Sequence, residues 1–237
     1  MSKNLKIILG TIYLVILISF LSFLFSKFDI SRIDDFSYYK FMQANIEEII
    51  GKNIIFNFLL FFIFTICWVM LLGFGSPILL LSGILFGKWI GTLISTISIS
   101  VGALFLYITA KFFFKDLINL LLKDKFSKYI DRFQKNEFYY FLVFRFTGGL
   151  GIPFALQNVL PVIFNMKNRN YFFATLIGFV PNFFIFNAVG AGINNFIKES
   201  NNFSFLNLIT NKEIYLPIII FLFLIALSFM TKKIFFK

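Results

Sequence analysis

The stretch Gly75-Ser76-Pro77-Ile78-Leu79-Leu80-Leu81-Ser82-Gly83-Ile84-Leu85-Phe86-Gly87 decides how this chain is read. It is apolar enough for a bilayer, too short to cross one, and opens on a Gly-x-Pro break; a crossing helix needs about 17–25 residues. In hydrocarbon every backbone N–H and C=O must find a partner, so irregular backbone survives only where protein buries it or where it lines a wet cavity. A second break, Gly151-Ile152-Pro153, interrupts another apolar run. Corresponding breaks in two halves of a chain point to a binding site near the midplane of a transport fold. The second break is accompanied by Arg145, the only charge between Phe138 and Met166. A charge at membrane depth is expensive, and its default reading is functional. The pattern predicts a polytopic membrane protein that handles a lipid or a small solute.

Composition agrees. Hydrophobic residues make up 59% of the chain and the mean hydropathy is +0.87, above the apolar share of an ordinary soluble domain. Residues 7–26, 171–197 and 214–231 carry no charge, and 53–110 carries only Lys88, room for two crossings and a re-entrant segment. The net charge of +11 comes from Lys and Arg that flank the apolar runs, as membrane anchoring and the positive-inside bias require. It does not point to nucleic acid. With no His in the chain, Ser-His-Asp and Cys-His catalysis and His-ligated zinc are excluded. The single Cys67 cannot form an intramolecular disulfide and is expected to pack as a small apolar residue. All 11 carboxylates lie outside the apolar runs, which leaves no buried acid pair. No enzyme activity, cofactor or metal is therefore expected.

Three regions follow: 1–52, an N-terminal helix and surface segment; 53–193, a core with two re-entrant hairpins; and 194–237, a polar loop and final helix. Residues 7–26 read as an uncleaved first helix, because the apolar region is too long for a signal peptide and no small-x-small site follows. In 27–52, Ile33, Phe36, Met42, Ile46 and Ile49 recur near helical spacing and predict a helix lying on the surface. Full spans are expected at 54–74, 89–110, 171–193 (interrupted by Gly178 and Pro181) and 215–231, with Gly91 and Gly102 as close-packing points. Between them, Lys111 to Lys135 holds seven basic and three acidic residues. This amphipathic segment suits anionic headgroups, with a solvated linker helix as the alternative. The expected architecture is an all-α polytopic membrane protein of about five full spans plus two facing re-entrant hairpins related by a pseudo-repeat. That count places 27–52, 111–135 and the C-terminus on one side.

At the centre, Ser76-Pro77 has helix-start chemistry, Ser accepting from a first-turn amide and Pro sacrificing no needed donor. Pro153 could start a second half-helix. Two helix N-termini with Arg145 would attract a phosphate or carboxylate. Asn158, Asn182, Gln157 and Asn187 add polar groups, or else make interhelical hydrogen bonds. The alternatives stay open at this point: the prolines only kink ordinary spans, and Arg145 snorkels to an interface or satisfies carbonyls freed by the nearby glycines.

Gly75 to Gly87, Phe141-x-x-x-Arg145, Gly151-Ile-Pro-Phe154, Asn158 and Thr175-x-x-Gly178-x-x-Pro181 together resemble the signatures of the DedA/VTT-domain superfamily, on its SNARE-associated Golgi protein branch. The match covers roughly residues 75–192. The resemblance implies re-entrant hairpins meeting mid-membrane and lipid scrambling or lipid-carrier translocation. With the residue chemistry above, the expected substrate site is Arg145, Ser76, Pro77, Gly151, Pro153, Asn158 and Asn182, with hinges at Gly75, Gly83, Gly87, Gly148, Gly149, Gly178 and Pro181; Arg145 fits the family's arginine position. One departure is chemical. Bacterial DedA-type transporters carry membrane-embedded acids near the first re-entrant region, whereas 54–87 here has no Asp or Glu, so proton coupling through that site is not expected. The leading expectation is a scramblase- or flippase-like transporter of a phosphate-bearing lipid in a bacterial-type plasma membrane, with membrane lipids as partners. The alternatives are an ion- or proton-coupled small-solute transporter and a non-transporting membrane-organising protein.

Overall fold

The computed structural model describes residues 35–200 and 204–235 and isolated positions between 8 and 22; of 114–129, 150, 205 and 224–235 only the backbone is described. The expected first helix, 7–26, lies almost wholly outside these residues, as does 27–34. Every regular element among the described residues is helical. The helix α1 (Phe36–Lys52) starts at Asp35, whose carboxylate accepts from the amides of Ser37 and Tyr38. It meets α2 (Ile54–Met70) at a bend of 110°, a geometry that suits a surface helix feeding a membrane-inserted one.

The long α3 (Gly75–Lys135) is broken at Gly87, which has φ 73° and ψ 175°. Only glycine takes that conformation without strain, and it reverses the chain. The Ser82 hydroxyl donates to the Gly91 carbonyl at 2.9 Å, although nine residues of straight helix would separate them by about 13 Å. The short limb α3a (75–86) therefore folds back on the long limb α3b (88–135). It also folds back on α2, because Phe58 and Phe61 both touch Phe86 edge-on, at 4.8 and 5.3 Å between ring centres. Residues 54–86 are thus one hairpin with its tip at 71–74, closed by the Trp68 indole N–H donating to the Phe74 carbonyl at 2.8 Å. This corrects the expected full span at 54–74, which is the outer limb of the hairpin. The tip stops short of the far end of α3b: a Cβ at Gly102 would sit 3.0 Å from Val69, and α3b continues well beyond.

The second half repeats the order. Helix α4 (Glu137–Phe146), a 3-10 turn (Gly148–Gly151), α5 (Phe154–Val159) and a second 3-10 turn (Leu160–Val162) form a hairpin, and the long α6 (Asn168–Glu199) follows. α6 runs beside α4 in the same direction: Glu137 meets Asn170, Arg145 meets Tyr171, and Asn182 meets Phe146. In the first half α2 runs beside α3b in the same sense. The two long helices are antiparallel, since Tyr107 stacks on Tyr171 while Ser95 bonds Asn187. The halves are therefore inverted relative to each other, and their tips meet near the middle, where a Cβ at Gly75 would stand 3.4 Å from the Phe154 ring. The expected facing hairpins and pseudo-repeat have this physical form.

Two helical stretches among the described residues are long and apolar enough to cross a membrane, the part of Gly75–Phe113 that follows the reversal at Gly87, and Asn168–Glu199. α6 is continuous, not interrupted; Gly178 and Pro181 lie inside an unbroken helix. Lys111 and Gln134 both reach the 164–166 turn, so α3b bends back between them, as a straight helix would hold them about 34 Å apart. After α7 (Phe205–Thr210), helix α8 (Lys212–Phe235) packs back along α6, with Glu213 near Gly192 and Phe221 on Phe186. α1 docks at the opposite end from 131–135, through a Glu47–Lys198 ion pair. The expectation that 27–52 shares a side with 111–135 is corrected by this placement: 54–86 returns to the side it left.

Candidate functional site

Helix α4 buries one stripe, Glu137, Phe141 and Arg145, spaced four apart so that they stack on a single face. That stripe carries the Arg145 guanidinium into the middle of the molecule, where the residue is fully buried. Its flat faces lie against two rings, Phe141 and Phe179, each 4.6 Å from the guanidinium carbon, a desolvated geometry in which cation–π attraction is strongest. Its edges donate to Asn158 Oδ1 at 2.7 Å, the Tyr171 hydroxyl at 3.0 Å and Gln157 Oε1 at 3.3 Å. α6 comes close enough because residue 178 is glycine: a Cβ there would fall 2.6 Å from the Arg145 Cβ.

The same residues tie down the tip. Gln157 Nε2 donates to the carbonyls of Ile152 at 2.7 Å and Gly148 at 3.2 Å, satisfying backbone that no regular helix would pair. Gly149 has φ 75° and lies directly against the Gln157 amide. Asn182 donates to the Phe146 carbonyl at 2.8 Å and the Arg145 carbonyl at 3.3 Å, closing the end of α4 from α6. Arg145 thus serves the hairpin directly, and the reading that it snorkels to an interface is corrected. No carboxylate pairs with it among the described residues. Two buried donors at this centre, Arg145 Nε and Asn158 Nδ2, lack an acceptor among the described groups.

Of the site residues expected from sequence, Arg145, Asn158 and Asn182 come together here. Gly75 faces Phe154 across the two tips, and Gly83 packs on the Asn187 carbonyl. Ser76 and Pro77 are exposed on the first turn of α3a. The helix begins at Gly75 with Phe74 as N-cap and no side-chain cap bond, so Ser76 is not the cap. Pro153 is the residue before α5, which spans only six residues and is too short to present the expected dipole; Pro153 and Gly151 are exposed. Gly148 has φ 69° and stands in open space. Gly91 and Gly102 are close-packing points, as expected. Cys67 is exposed on the outer face of α2, not packed inside.

Sequence reasoning missed Tyr171, Tyr107 and Glu137. The two tyrosines stack at 4.4 Å, and the Tyr107 hydroxyl donates to the Met166 carbonyl at 2.6 Å. Glu137 is a buried carboxylate at the base of the hairpin, accepting from the Asn170 amide at 2.6 Å and the Lys167 backbone N–H at 3.3 Å. Its position at the start of a predicted apolar approach was the only sequence signal. Nothing in the local pattern marked the tyrosines, because their partners are distant in sequence. On the far side of Arg145 a groove of about 1120 Å³ runs between α3b, α4 and α6, walled by Leu93, Ile97, Phe146, Ile177 and Phe184, with Thr92 and Thr96 as its hydroxyls.

The model of the VTT domain matches residues 74–192, about half of the chain, from the inner limb of the first hairpin through the second hairpin and most of α6. No solved structure matches. The chain belongs to the VTT-domain family, the domain of the DedA/SNARE-associated Golgi proteins, and is an integral membrane protein of that transporter-like family.

Proposed function

We propose that this VTT-family protein moves a phosphate-bearing lipid between the leaflets of a bacterial-type plasma membrane, as a scramblase or flippase. The observation that carries this reading is the pair of orphan donors at the centre, Arg145 Nε and Asn158 Nδ2, beside a buried guanidinium that no carboxylate neutralises among the described residues. Burying an ion costs several kcal/mol and is stable only with a counter-charge and good hydrogen bonds. A phosphate oxygen supplies both the missing acceptor and the missing charge, and Arg is suited to it. The apolar groove beside Phe146 gives the acyl chains a path that stays in hydrocarbon while the headgroup passes the hairpin tips. For the headgroup to enter, the second hairpin must part from α6, so translocation is coupled to movement of α4 and α5.

A second reading is favoured by a specific observation, the three hydrogen bonds and two stacked rings that Arg145 already makes. In that reading it is a structural pin of the second hairpin, and the protein organises membrane without transport. Reconstitution separates them. Labelled phospholipid should exchange between leaflets faster in liposomes with the wild-type protein than in protein-free ones, and Arg145→Lys should abolish the gain. Wild-type liposomes no faster than empty ones would overturn the transport reading. Full exchange by Arg145→Lys would remove Arg145 from phosphate recognition.

A further inference from the structure

A second polar cavity, of about 420 Å³, opens at the end of the molecule where the second hairpin begins, lined by Lys111, Gln134, Glu137, Asn165 and Lys167. The bend of α3b brings Gln134 there, donating to the Phe164 carbonyl at 3.0 Å, and Lys111 is fixed on the wall by its bond to the Met166 carbonyl at 3.2 Å. We propose that this cavity is a vestibule that seats the phosphate of a phospholipid headgroup before it reaches Arg145. The inference rests on the lipid-transport reading and gives that path its starting point.

Glu137 is the evident objection, since a carboxylate repels phosphate. Its oxygens, however, face the Lys167 backbone N–H and the Asn170 amide at the start of α6, where the positive end of a 32-residue helix offsets a negative charge. Lys111 and Lys167 both bring ammonium groups to the lining, and the carboxylate among them is met by amides. The first turn of α6 has no side-chain cap from its N-cap residue Lys167, and the positive end of a helix favours an anion beside it. The Lys167 ammonium has no ion pair among the described residues, while Asn165, at φ 48°, and Gln134 supply neutral polar groups. The cavity lies one helical turn from Tyr171, whose hydroxyl accepts from Arg145. A headgroup leaving it therefore meets the buried guanidinium next.

The test uses the full chain in non-ionic detergent with three probes: dihexanoyl phosphatidic acid, dihexanoylglycerol without phosphate, and inorganic phosphate. Phosphatidic acid should bind, and Lys111→Met with Lys167→Gln should raise its Kd about tenfold or more, the scale of a lost charge-assisted contact. Dihexanoylglycerol should bind poorly throughout. Lys167→Arg keeps the charge and should bind as wild type, which controls for folding. Unchanged affinity in the double variant, or equal loss in Lys167→Arg and Lys167→Gln, would overturn the vestibule. Inorganic phosphate binding as tightly as phosphatidic acid would assign the site to the free anion and overturn the headgroup. Wild type that binds phosphatidic acid here but moves no lipid in liposomes would leave the vestibule standing and overturn transport alone.

Discussion

The two hairpins share a path and differ in what holds them. The first is docked by backbone: a Cβ at Gly190 would lie 2.2 Å from the Leu80 carbonyl oxygen, and one at Gly83 2.2 Å from that of Asn187. Such close approach is how helices associate where lipid is as apolar as the protein. The second is held by side chains around a charge, with Arg145, Gln157, Asn158, Tyr171 and Asn182 pairing with each other and with loose backbone. A backbone contact is a fixed wedge, whereas a hydrogen-bonded charge can exchange one set of partners for another. If the protein moves lipid as proposed, this difference makes the second hairpin the one expected to move and the first the one expected to stay.

The largest expected effect breaks the fixed half. Gly190→Leu drives a side chain into backbone on α3a that cannot yield, and overpacking of this kind costs about 3 kcal/mol or more. The variant should express poorly or melt far below wild type in detergent. Gly51→Leu, on the exposed face of α1 with nothing within 4 Å, should melt as wild type. Near-native melting of Gly190→Leu would remove the fixed half of the comparison.

Next comes the charge. Arg145→Met keeps length and apolar stem but strands the Gln157 and Asn158 side-chain oxygens, and leaving a buried acceptor unsatisfied costs about 1–3 kcal/mol. If the second hairpin depends on that network, its tip should open before the first hairpin does: cysteines placed at Gly151 and Ser76 on a Cys67→Ser background should show faster labelling only at Gly151. Equal changes at both tips would mean that the halves unfold as one unit. Smaller still is Tyr107→Phe, which removes the bond to the Met166 carbonyl at a cost of about 1 kcal/mol. It should lower the melting temperature slightly and leave the first tip's labelling unchanged.

Much of this contrast could be read from the residues. The two Gly-x-Pro breaks and the isolated Arg145 marked both tips, because membrane backbone cannot break without consequence. The partition of limbs could not be read. Residues 54–70 have the apolar length of a crossing, and it takes the Gly87 backbone and the 2.9 Å bond from Ser82 to Gly91 to show that the chain reverses there. Gly87 was expected as a hinge, but the residues did not show that the reversal there pairs 75–86 with 54–70. Arg145 was legible as unusual but not as enclosed: its rings and hydroxyl come from Phe179 and Tyr171, on a helix whose register against α4 is set by Gly178 packing.

The smallest expected effect lies at the opposite end, where α1 is tied to the last turns of α6. A hydrogen bond from Lys198 holds the Glu47 carboxyl below its ordinary value against the opposing effect of burial, and the Lys198 charge adds to the lowering. A depressed acid contributes stability that is full above its unfolded value and is lost as pH falls through the folded one. The α1–α6 contact should therefore be complete at neutral pH and weaken only in acid, below the usual carboxylate range. Both groups are substantially exposed, and such pairs are worth at most about 1 kcal/mol, so global melting should hardly move. Hydrogen exchange of α1 at low ionic strength is the sensitive measure: it should quicken as pH falls in the wild type, relative to intrinsic rates. In Glu47→Gln it should be fast already at neutral pH and flat with acid. Because α1 leads into α2, loosening it should free the entrance of the first hairpin without touching the Arg145 network. Altered labelling of a cysteine at Gly151 in Glu47→Gln would show that the two halves are coupled, and that the fixed hairpin is not independent of the mobile one.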